Sequence, residues 1–332
     1  MTDQIFVSIV MPVRNEEAFI ARSLGAVLNQ DYPHESIEIL IADGESSDRT
    51  LEIMHSLSGM ERVRIICNPQ RTQAAGLNKA IQQARGAIII RVDGHTIIAP
   101  DYVRQCVSAL QETGACNVGG LMNPVGITRM GKAIAGAIRS PFAVPSAFHI
   151  SRKKQYTDTV YMGAWPRWVF ERVGAFDERL APNEDYELNY RIHRAGGEIY
   201  LSPNIRSHYF GRQTLRTLAR QYFYYGKAKT NTLKKHPASL RLRQLVAPCF
   251  VGALLGGIPL AVMIPLSLWL WLLMLVAYLS ANLIFSLAAA RRIGYRYFWC
   301  MPFVFPTIHL AWGAGFWVGL VGGGVRLPRR KH

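Results

Sequence analysis

From Leu245 to Ala290 the chain carries no charged residue for 46 positions. A run this long has no place on the surface of a fold surrounded by water. At about 20 residues per crossing it is also too long for one membrane span. Gly256-Gly257, Pro259 and Pro265 offer a break, giving expected spans near 246–266 and 268–290. Arg291, Arg292 and Arg296 follow, then a third apolar run from Phe298 to Val321 interrupted by Pro302 and Pro306. Three full crossings would put the basic ends of that last run on opposite sides, against the positive-inside rule. A re-entrant or interfacial third segment removes the conflict, so the expectation is two to three spans. His309 inside the run reads as a packed histidine rather than a proton relay.

Charge divides the chain in the same way. The net charge is +16, yet all 22 acidic residues lie at or before Glu198. Residues 212–243 carry nine Lys or Arg and no acid, interleaved with Leu215, Leu218, Tyr222, Phe223 and Tyr225. That pattern fits an amphipathic helix on an anionic membrane surface better than a nucleic-acid interface. No nucleic-acid-binding module is present, and none is expected as a partner. The five cysteines show neither disulfide nor zinc spacing. The N-terminus has Asp3 and no basic segment before an apolar run, so no cleaved signal peptide is expected.

The first half alternates strands and helices. Ile5–Met11, Ile37–Ala42, Val63–Cys67 and Ile88–Asp93 read as strands. Helical patterns open at Asn15-Glu16-Glu17, at Arg49 behind an Asp48 cap, and at Gln73. Such alternation predicts an α/β fold with a mostly parallel sheet. Ligands of such sheets collect at the carboxyl ends of strands, where Asp43 and Asp93 would stand. Asp93 and His95, two residues apart around Gly94, can converge on one cation. Neither a Gly-x-Gly-x-x-Gly nor a Walker-type loop is present, which weakens an oxidoreductase or ATPase reading. Residues 114–165 are less regular and read either as a substrate-covering segment or as surface loops. Pro182-Asn183-Glu184-Asp185 opens a helix, with both carboxylates in a first turn whose dipole favours the ionised form.

Four segments together carry a resemblance. They are Ser8-Ile9-Val10-Met11-Pro12-Val13-Arg14-Asn15-Glu16, Ala42-Asp43-Gly44-Glu45-Ser46-Ser47-Asp48-Arg49-Thr50, Val92-Asp93-Gly94-His95 and Glu184-Asp185. In this order and spacing, over about residues 5–230, they resemble the family 2 glycosyltransferases of GT-A fold. Asn-Glu-Asp-Tyr-Glu-Leu-Asn, Arg-Gln-Tyr-Phe-Tyr-Tyr-Gly and the apolar C-terminus are most similar to the membrane-associated glucosyltransferases of succinoglycan-type exopolysaccharide synthesis. The resemblance implies a GT-A domain over 1–211, a basic membrane-interface segment over 212–244, transmembrane or re-entrant helices over 245–325 and a basic tail over 326–332.

It also implies roles. Pro12, Arg14, Glu16 and Asp43 would contact the nucleotide, with Asn78 in the helix that approaches the donor and Arg71 at its start placed to meet a phosphate. Asp93 matches the first residue of a metal-binding Asp-x-Asp. His95 replaces the second Asp, and His208 stands where some GT-A enzymes have a third ligand for Mg²⁺ or Mn²⁺. Asp185 matches the catalytic base, with Glu184 beside it. Trp165, Arg212, Gln221 and Tyr225 are candidates on the acceptor or membrane side. Gln221-Tyr222-Phe223-Tyr224-Tyr225 replaces the Gln-x-x-Arg-Trp of processive members, which favours addition of one sugar.

The implied reaction is an inverting transfer, with glucose from a UDP-sugar as the expected donor and a polyprenyl-linked saccharide hydroxyl as acceptor. The expected location is the inner membrane, with the catalytic half facing the cytoplasm and membrane lipid as a partner. A polyprenyl-phosphate sugar synthase is the rival enzyme reading. A non-catalytic membrane scaffold with a relict nucleotide site is the rival from another class.

Overall fold

The computed structural model describes residues 4–144, 146–180 and 182–322. The basic tail expected over 326–332 lies outside them. The elements are β1 (Val7–Val13), α1 (Ile20–Leu28), β2 (Ile37–Asp43), α2 (Thr50–His55), β3 (Val63–Cys67), α3 (Gln73–Gln83), β4 (Ile88–Arg91), β5 (Thr96–Ile98), α4 (Tyr102–Thr113) and β6 (Asn117–Val125). Next come α5 (Arg129–Ile138), α6 (Ala147–Ile150), β7 (Gln155–Tyr156), β8 (Tyr161–Pro166), α7 (Trp168–Val173), α8 (Glu184–Arg194) and β9 (Ile199–Phe210). Four long helices close the chain: α9 (Leu215–Lys235), α10 (Val246–Met263), α11 (Pro265–Ile293) and α12 (Met301–Val321).

The first compact unit comprises residues 1–123 and 146–210. It is built on a nine-stranded sheet of order β3-β2-β1-β4-β8-β6-β9-β5, with β7 paired to β9. The pairings among β3, β2, β1 and β4 are parallel, as the alternation of strands and helices requires. From β4 onward the sheet is mixed, because β8 joins β4 and β6 antiparallel and β5 joins β9 antiparallel. Side chains alternate across the sheet with period two. On one face Val7, Ile9 and Met11 pack with Ile20, Leu24 and Val27 of α1 and Val103 of α4. On the other, Val10, Leu40 and Ile89 pack with Leu77 of α3, Phe170 of α7 and Leu188 of α8.

Two expectations shift at strand ends. β1 does not stop before Pro12 but runs through it to Val13. Proline is admissible there because the pairing of β1 with β4 ends at Val10 and Arg91, so Pro12 lies beyond that ladder. The first helix begins at Ile20 rather than Asn15. Asn15 sits in the left-handed region (φ 54°), and its backbone N–H bonds the Ser46 hydroxyl at 3.0 Å. Neither reading of 114–165 holds at its ends, since Asn117–Val125 and Tyr161–Pro166 are interior strands of the sheet.

The second unit gathers residues 124–145 with the chain from Gly211 onward. The expected boundary at 211 therefore misses one segment. α5 carries Ala133, Ile134, Ala137 and Ile138 into a core with Leu218 and Tyr222 of α9, Ala289 of α11 and Phe305 of α12. Among the described residues three stretches are long and apolar enough to cross a membrane: Leu242–Leu260, Pro265–Ile293 and Tyr295–Val321. The chain is therefore membrane-associated, and all three apolar runs are helical.

The apolar side of α9 is not left for lipid. It is laid along α12, where Gly315 and Gly319, four residues apart, let the backbones approach. A Cβ on Gly315 would overlap the carbonyl oxygen of Phe223, and one on Gly226 would overlap that of Trp312. Arg216, Arg220 and Tyr224, one turn apart, remain exposed along α9. Overpacking a tight contact costs about 1–3 kcal/mol. Gly226→Ala should therefore lower the thermal midpoint of the detergent-solubilised protein clearly. Gly256→Ala, whose Cβ meets nothing within 4 Å, should leave it unchanged. Equal midpoints would show that α9 and α12 are not closely packed.

Candidate active site

The parallel register places the relevant groups. Val13 is level with Asp43, and Val10 is level with Arg91, so the ends of β2 and β4 flank the end of β1. The loops after β1 and β2 are cross-bonded. Ser47 N–H donates to Asn15 Oδ1 at 2.8 Å, Glu17 N–H to Asp48 Oδ2 at 3.2 Å, Glu16 N–H to Thr50 Oγ1 at 2.7 Å, and Arg49 N–H to Glu17 Oε2 at 3.1 Å. Asp48 also accepts from Thr50 N–H at 3.0 Å, but α2 begins at Thr50, so Arg49 and not the expected Asp48 holds the N-cap position. Asp43 is buried and accepts from the Ser46 hydroxyl at 2.6 Å and Ser46 N–H at 3.1 Å. Arg14 and Arg71 are exposed beside this frame. Arg14 Nη1 donates to the Arg71 carbonyl at 3.5 Å, and Arg71 Nε donates to Glu45 at 2.7 Å.

The turn after β4 holds the densest charge. Asp93 is 5% exposed. It accepts from Arg91 Nε at 2.8 Å, Arg91 Nη2 at 3.3 Å and Gln73 Nε2 at 3.1 Å. Burial pushes its carboxyl up, but the Arg91 guanidinium, with His95 and Gln73, outweighs that and holds it below the usual range. His95 Nδ1 lies 2.8 Å from Glu16 Oε1, and its ring meets Tyr209 edge-on. Arg91 Nη1 reaches Glu184 Oε1 at 3.4 Å. Burial first, then the neighbouring Asp185 charge, push the Glu184 carboxyl up to about 7 against the pull of Arg91. Glu184 is 3% exposed, whereas Asp185 is half-buried and accepts from Tyr186 N–H at 2.7 Å. Asn183, left-handed at φ 97°, turns the chain into α8, and the two carboxylates point differently because successive helical residues are about 100° apart.

Several expected residues are placed elsewhere. Asn78 spends its amide on the 176–178 segment: Nδ2 donates to Phe176 O at 2.9 Å and Glu178 at 3.0 Å, and Oδ1 accepts from Phe176 N–H. Trp165 is 1% exposed and packs edge-on against Phe170 and Phe176. It is a core residue, because the alternation of β8 turns it onto the face covered by α3, α7 and α8. His208 is exposed on β9, while its neighbour Tyr209 is the residue that meets His95. Alternation along the strand sends the two to opposite sides, so His208 does not join Asp93 and His95. Among the described residues no three His, Cys, Asp or Glu come together as a metal-holding group. Arg212, Gln221 and Tyr225 belong to the second unit, where Gln221 Nε2 donates to the Tyr225 hydroxyl at 2.8 Å. Arg91 and Gln73 are the site residues the sequence reading passed over. The signal for Arg91 is a charge between the apolar residues Ile90 and Val92.

Residues 8–168 match the family described as Glycosyl transferase family 2. Over 325 residues the chain is 32% identical to the succinoglycan biosynthesis protein ExoA of Rhizobium meliloti (strain 1021), covering 93% of each. The chain belongs to glycosyltransferase family 2. A second relative is the Methanococcus voltae dolichyl N-acetyl-alpha-D-glucosaminyl phosphate 3-beta-D-2,3-diacetamido-2,3-dideoxy-beta-D-glucuronosyltransferase, 31% identical over 240 residues, 69% of this chain and 74% of that one. Among solved structures, the mannosyltransferase PcManGT from Pyrobaculum calidifontis, in complex with GDP-Man and Mn²⁺, superposes with a TM-score of 0.61. It is 17% identical, and the match covers 97% of this chain and 88% of that one. The fold of this glycosyltransferase is GT-A.

Glu184 gives a pH signature. Its folded carboxyl titrates at about 7, above the ordinary carboxyl value, so folding favours the protonated form. Its contribution to stability is complete below about pH 4.5 and is lost as pH rises toward about 7. Glu184→Gln cannot titrate. Wild-type stability relative to Glu184→Gln should therefore fall across that window, by about 3 kcal/mol at most, and stay flat above it. Thermal midpoints of both proteins at pH 5 and 7.5 check this; a constant difference would contradict it.

Proposed function

We propose that this family 2 glycosyltransferase moves one sugar, with glucose from a UDP-sugar as our reading, onto a hydroxyl of a polyprenyl-linked saccharide during exopolysaccharide or cell-surface glycan synthesis. The carrying observation is the split carboxylate pair at the start of α8. Glu184 faces inward on Arg91, and Asp185 is the solvent-accessible member. A solvent-accessible carboxylate within reach of the acceptor can serve as the proton acceptor. Asp185 then takes the proton of the acceptor hydroxyl as that oxygen attacks the anomeric carbon from the side opposite the leaving diphosphate, inverting it. The names of two relatives, one of succinoglycan biosynthesis and one acting on a dolichyl-phosphate-linked sugar, support a lipid-linked acceptor.

The donor contacts we assign are Pro12, Arg14, Glu16 and Asp43 around the base and ribose, with Arg71 and Asp93 toward the phosphates. Asp93 and His95 supply too few donors for a resident all-protein metal cage. They fit a hard cation of the kind held by one or two carboxylates together with substrate phosphates. Asp93 with His95 beside it would hold Mg²⁺ or Mn²⁺ in that manner, and the Mn²⁺ complex of PcManGT supports this. When bound, such an ion offsets the charge that grows on the leaving diphosphate. Excess EDTA should therefore abolish transfer, reversibly on adding Mg²⁺ or Mn²⁺, while leaving the thermal midpoint unchanged. Full activity in EDTA would remove the metal from this reading.

The membrane helices support a location in the inner membrane. Basic residues stand at both open ends of the α10–α11 pair, Arg241 and Arg243 before it and Arg291 and Arg292 after it. By the positive-inside rule both ends, and the catalytic unit with them, face the cytoplasm.

The test of the proposed chemistry is paired. Asp185→Asn keeps shape and hydrogen bonding but cannot accept the proton, so turnover on a lipid-linked saccharide should fall about 10²–10⁴-fold. Donor affinity should stay within about twofold. Near-normal turnover would overturn the base assignment and move a phosphate acceptor, which needs no deprotonation, to the front.

A further inference from the structure

Arg91 is fully enclosed at the end of a central strand, where a charge needs a reason. Its planar group is used on two sides. Nε and Nη2 face Asp93 Oδ1 and Oδ2 at 2.8 and 3.3 Å, and Nη1 faces Glu184 Oε1 at 3.4 Å. Both carboxylates are also buried, at 5% and 3% exposure. Asp93 belongs to the turn after β4. Glu184 is the first residue of α8, next to Asp185. One rigid side chain therefore spans two elements that are far apart in sequence and whose carboxylates would otherwise repel.

We propose that Arg91 is a positioning residue for sugar transfer, a guanidinium strut that fixes the donor-side carboxylate Asp93 and the first turn of α8 in one mutual geometry. The inference rests on the roles given above to Asp93 and Asp185. The strut needs the guanidinium itself and not simply a positive charge. The fork engages Asp93 with two N–H groups while the third nitrogen reaches the other way. Lysine offers a compact charge on a flexible stem and cannot hold both ends at fixed angles. Gln73, which also donates to Asp93, holds only one end.

The experiment uses the full-length protein in detergent or nanodiscs. Three quantities are read: the thermal midpoint, the dissociation constant for UDP-glucose without acceptor, and kcat with acceptor. Arg91→Lys keeps the buried charge balance. If Arg91 serves only folding, lysine should restore kcat and affinity wherever it restores the midpoint. As a strut, Arg91→Lys should fold with a midpoint near wild type, yet lose at least about 30-fold in kcat and about 10-fold in donor affinity. Its donor-affinity loss should not add to that of Asp93→Asn, and its kcat loss should not add to that of Glu184→Gln, because each pair acts through one contact. A folded Arg91→Lys within threefold of wild type in both constants overturns the proposal, as do fully multiplicative losses in the two pairs.

If Arg91→Lys does not fold, the Asp93→Asn and Glu184→Gln pair decides. Non-additive kcat losses between these two positions support a strut that joins them, and independent losses overturn it. Failure of the base assignment is separable. In that case Asp185→Asn is near normal, while the donor-affinity coupling of Arg91 and Asp93 still reads the strut.

Discussion

The site depends on one constraint, the parallel register of β2, β1 and β4. Backbone hydrogen bonding fixes Val13 opposite Asp43 and Val10 opposite Arg91. Once that register is set, Asp93 can only emerge beside the end of β1. A one-residue slip would turn every side chain of β4 to the other face, sending Arg91 and Asp93 away from α8. Apolar burial on both faces makes such a slip expensive, since Ile88 and Ile90 would have to exchange places with Ile89 and Arg91. The cross-bonded loops after β1 and β2 then add rigidity where the strands stop. Asn15, Glu17, Ser46, Asp48 and Thr50 each accept a backbone N–H that no strand or helix claims, which is why polar and acidic side chains stand there.

The parts of this arrangement that were legible in the sequence are those with a local cause. β-branched runs ending in Asp-Gly mark strands and their carboxyl ends, and long uncharged runs mark the membrane helices. What was not legible has a non-local cause. α5 lies in the stretch that reads as a covering segment or surface loops, and only its packing against Leu218, Ala289 and Phe305 assigns it to the second unit. β5, β6, β8 and β9 pair antiparallel across large separations, which no periodicity announces. Trp165 and His208 carry no mark of the side on which they fall, because that depends on strand register. Asn78 sits in the expected helix, but Phe176 and Glu178 claim its amide.

The second unit obeys a different solvent. In hydrocarbon there is little hydrophobic gain from bringing two helices together, so close van der Waals contact and backbone approach must supply the attraction. That accounts for glycine at Gly315 and Gly319 of α12 facing Phe223 and Thr230, and at Gly313 facing Ala247 and Val251 of α10. It also accounts for Pro306 within α12, since a chain held by its neighbours tolerates the lost hydrogen bond. The complete absence of acid after Glu198 fits such a setting. An Asp or Glu would repel an anionic membrane surface, whereas the exposed Arg216 and Arg220 of α9 would not.

The charged cluster in the first unit runs against stability, and that is the strongest physical reason to give it a chemical role. Replacing a buried ion pair by apolar side chains is often neutral or stabilising by about 1–4 kcal/mol, whereas removing one partner costs about 3–5 kcal/mol. A sequence under selection for folding alone would thus drift toward an apolar Arg91 and Glu184, as Ile89 and Leu188 show is feasible on the same face of the sheet. Instead the chain keeps one buried cation for two buried carboxylates, with Asp185 adjacent. Burial first, and then the neighbouring Asp185 charge, raise Glu184, and a donor-borne cation near Asp93 would offset part of the local negative charge. On this account nucleotide-sugar binding is coupled to the first turn of α8 through electrostatics, without any large motion. On the proposed roles, Arg91 keeps Asp93 and Glu184 in one geometry throughout, so that donor and acceptor hydroxyl would meet an arrangement already set.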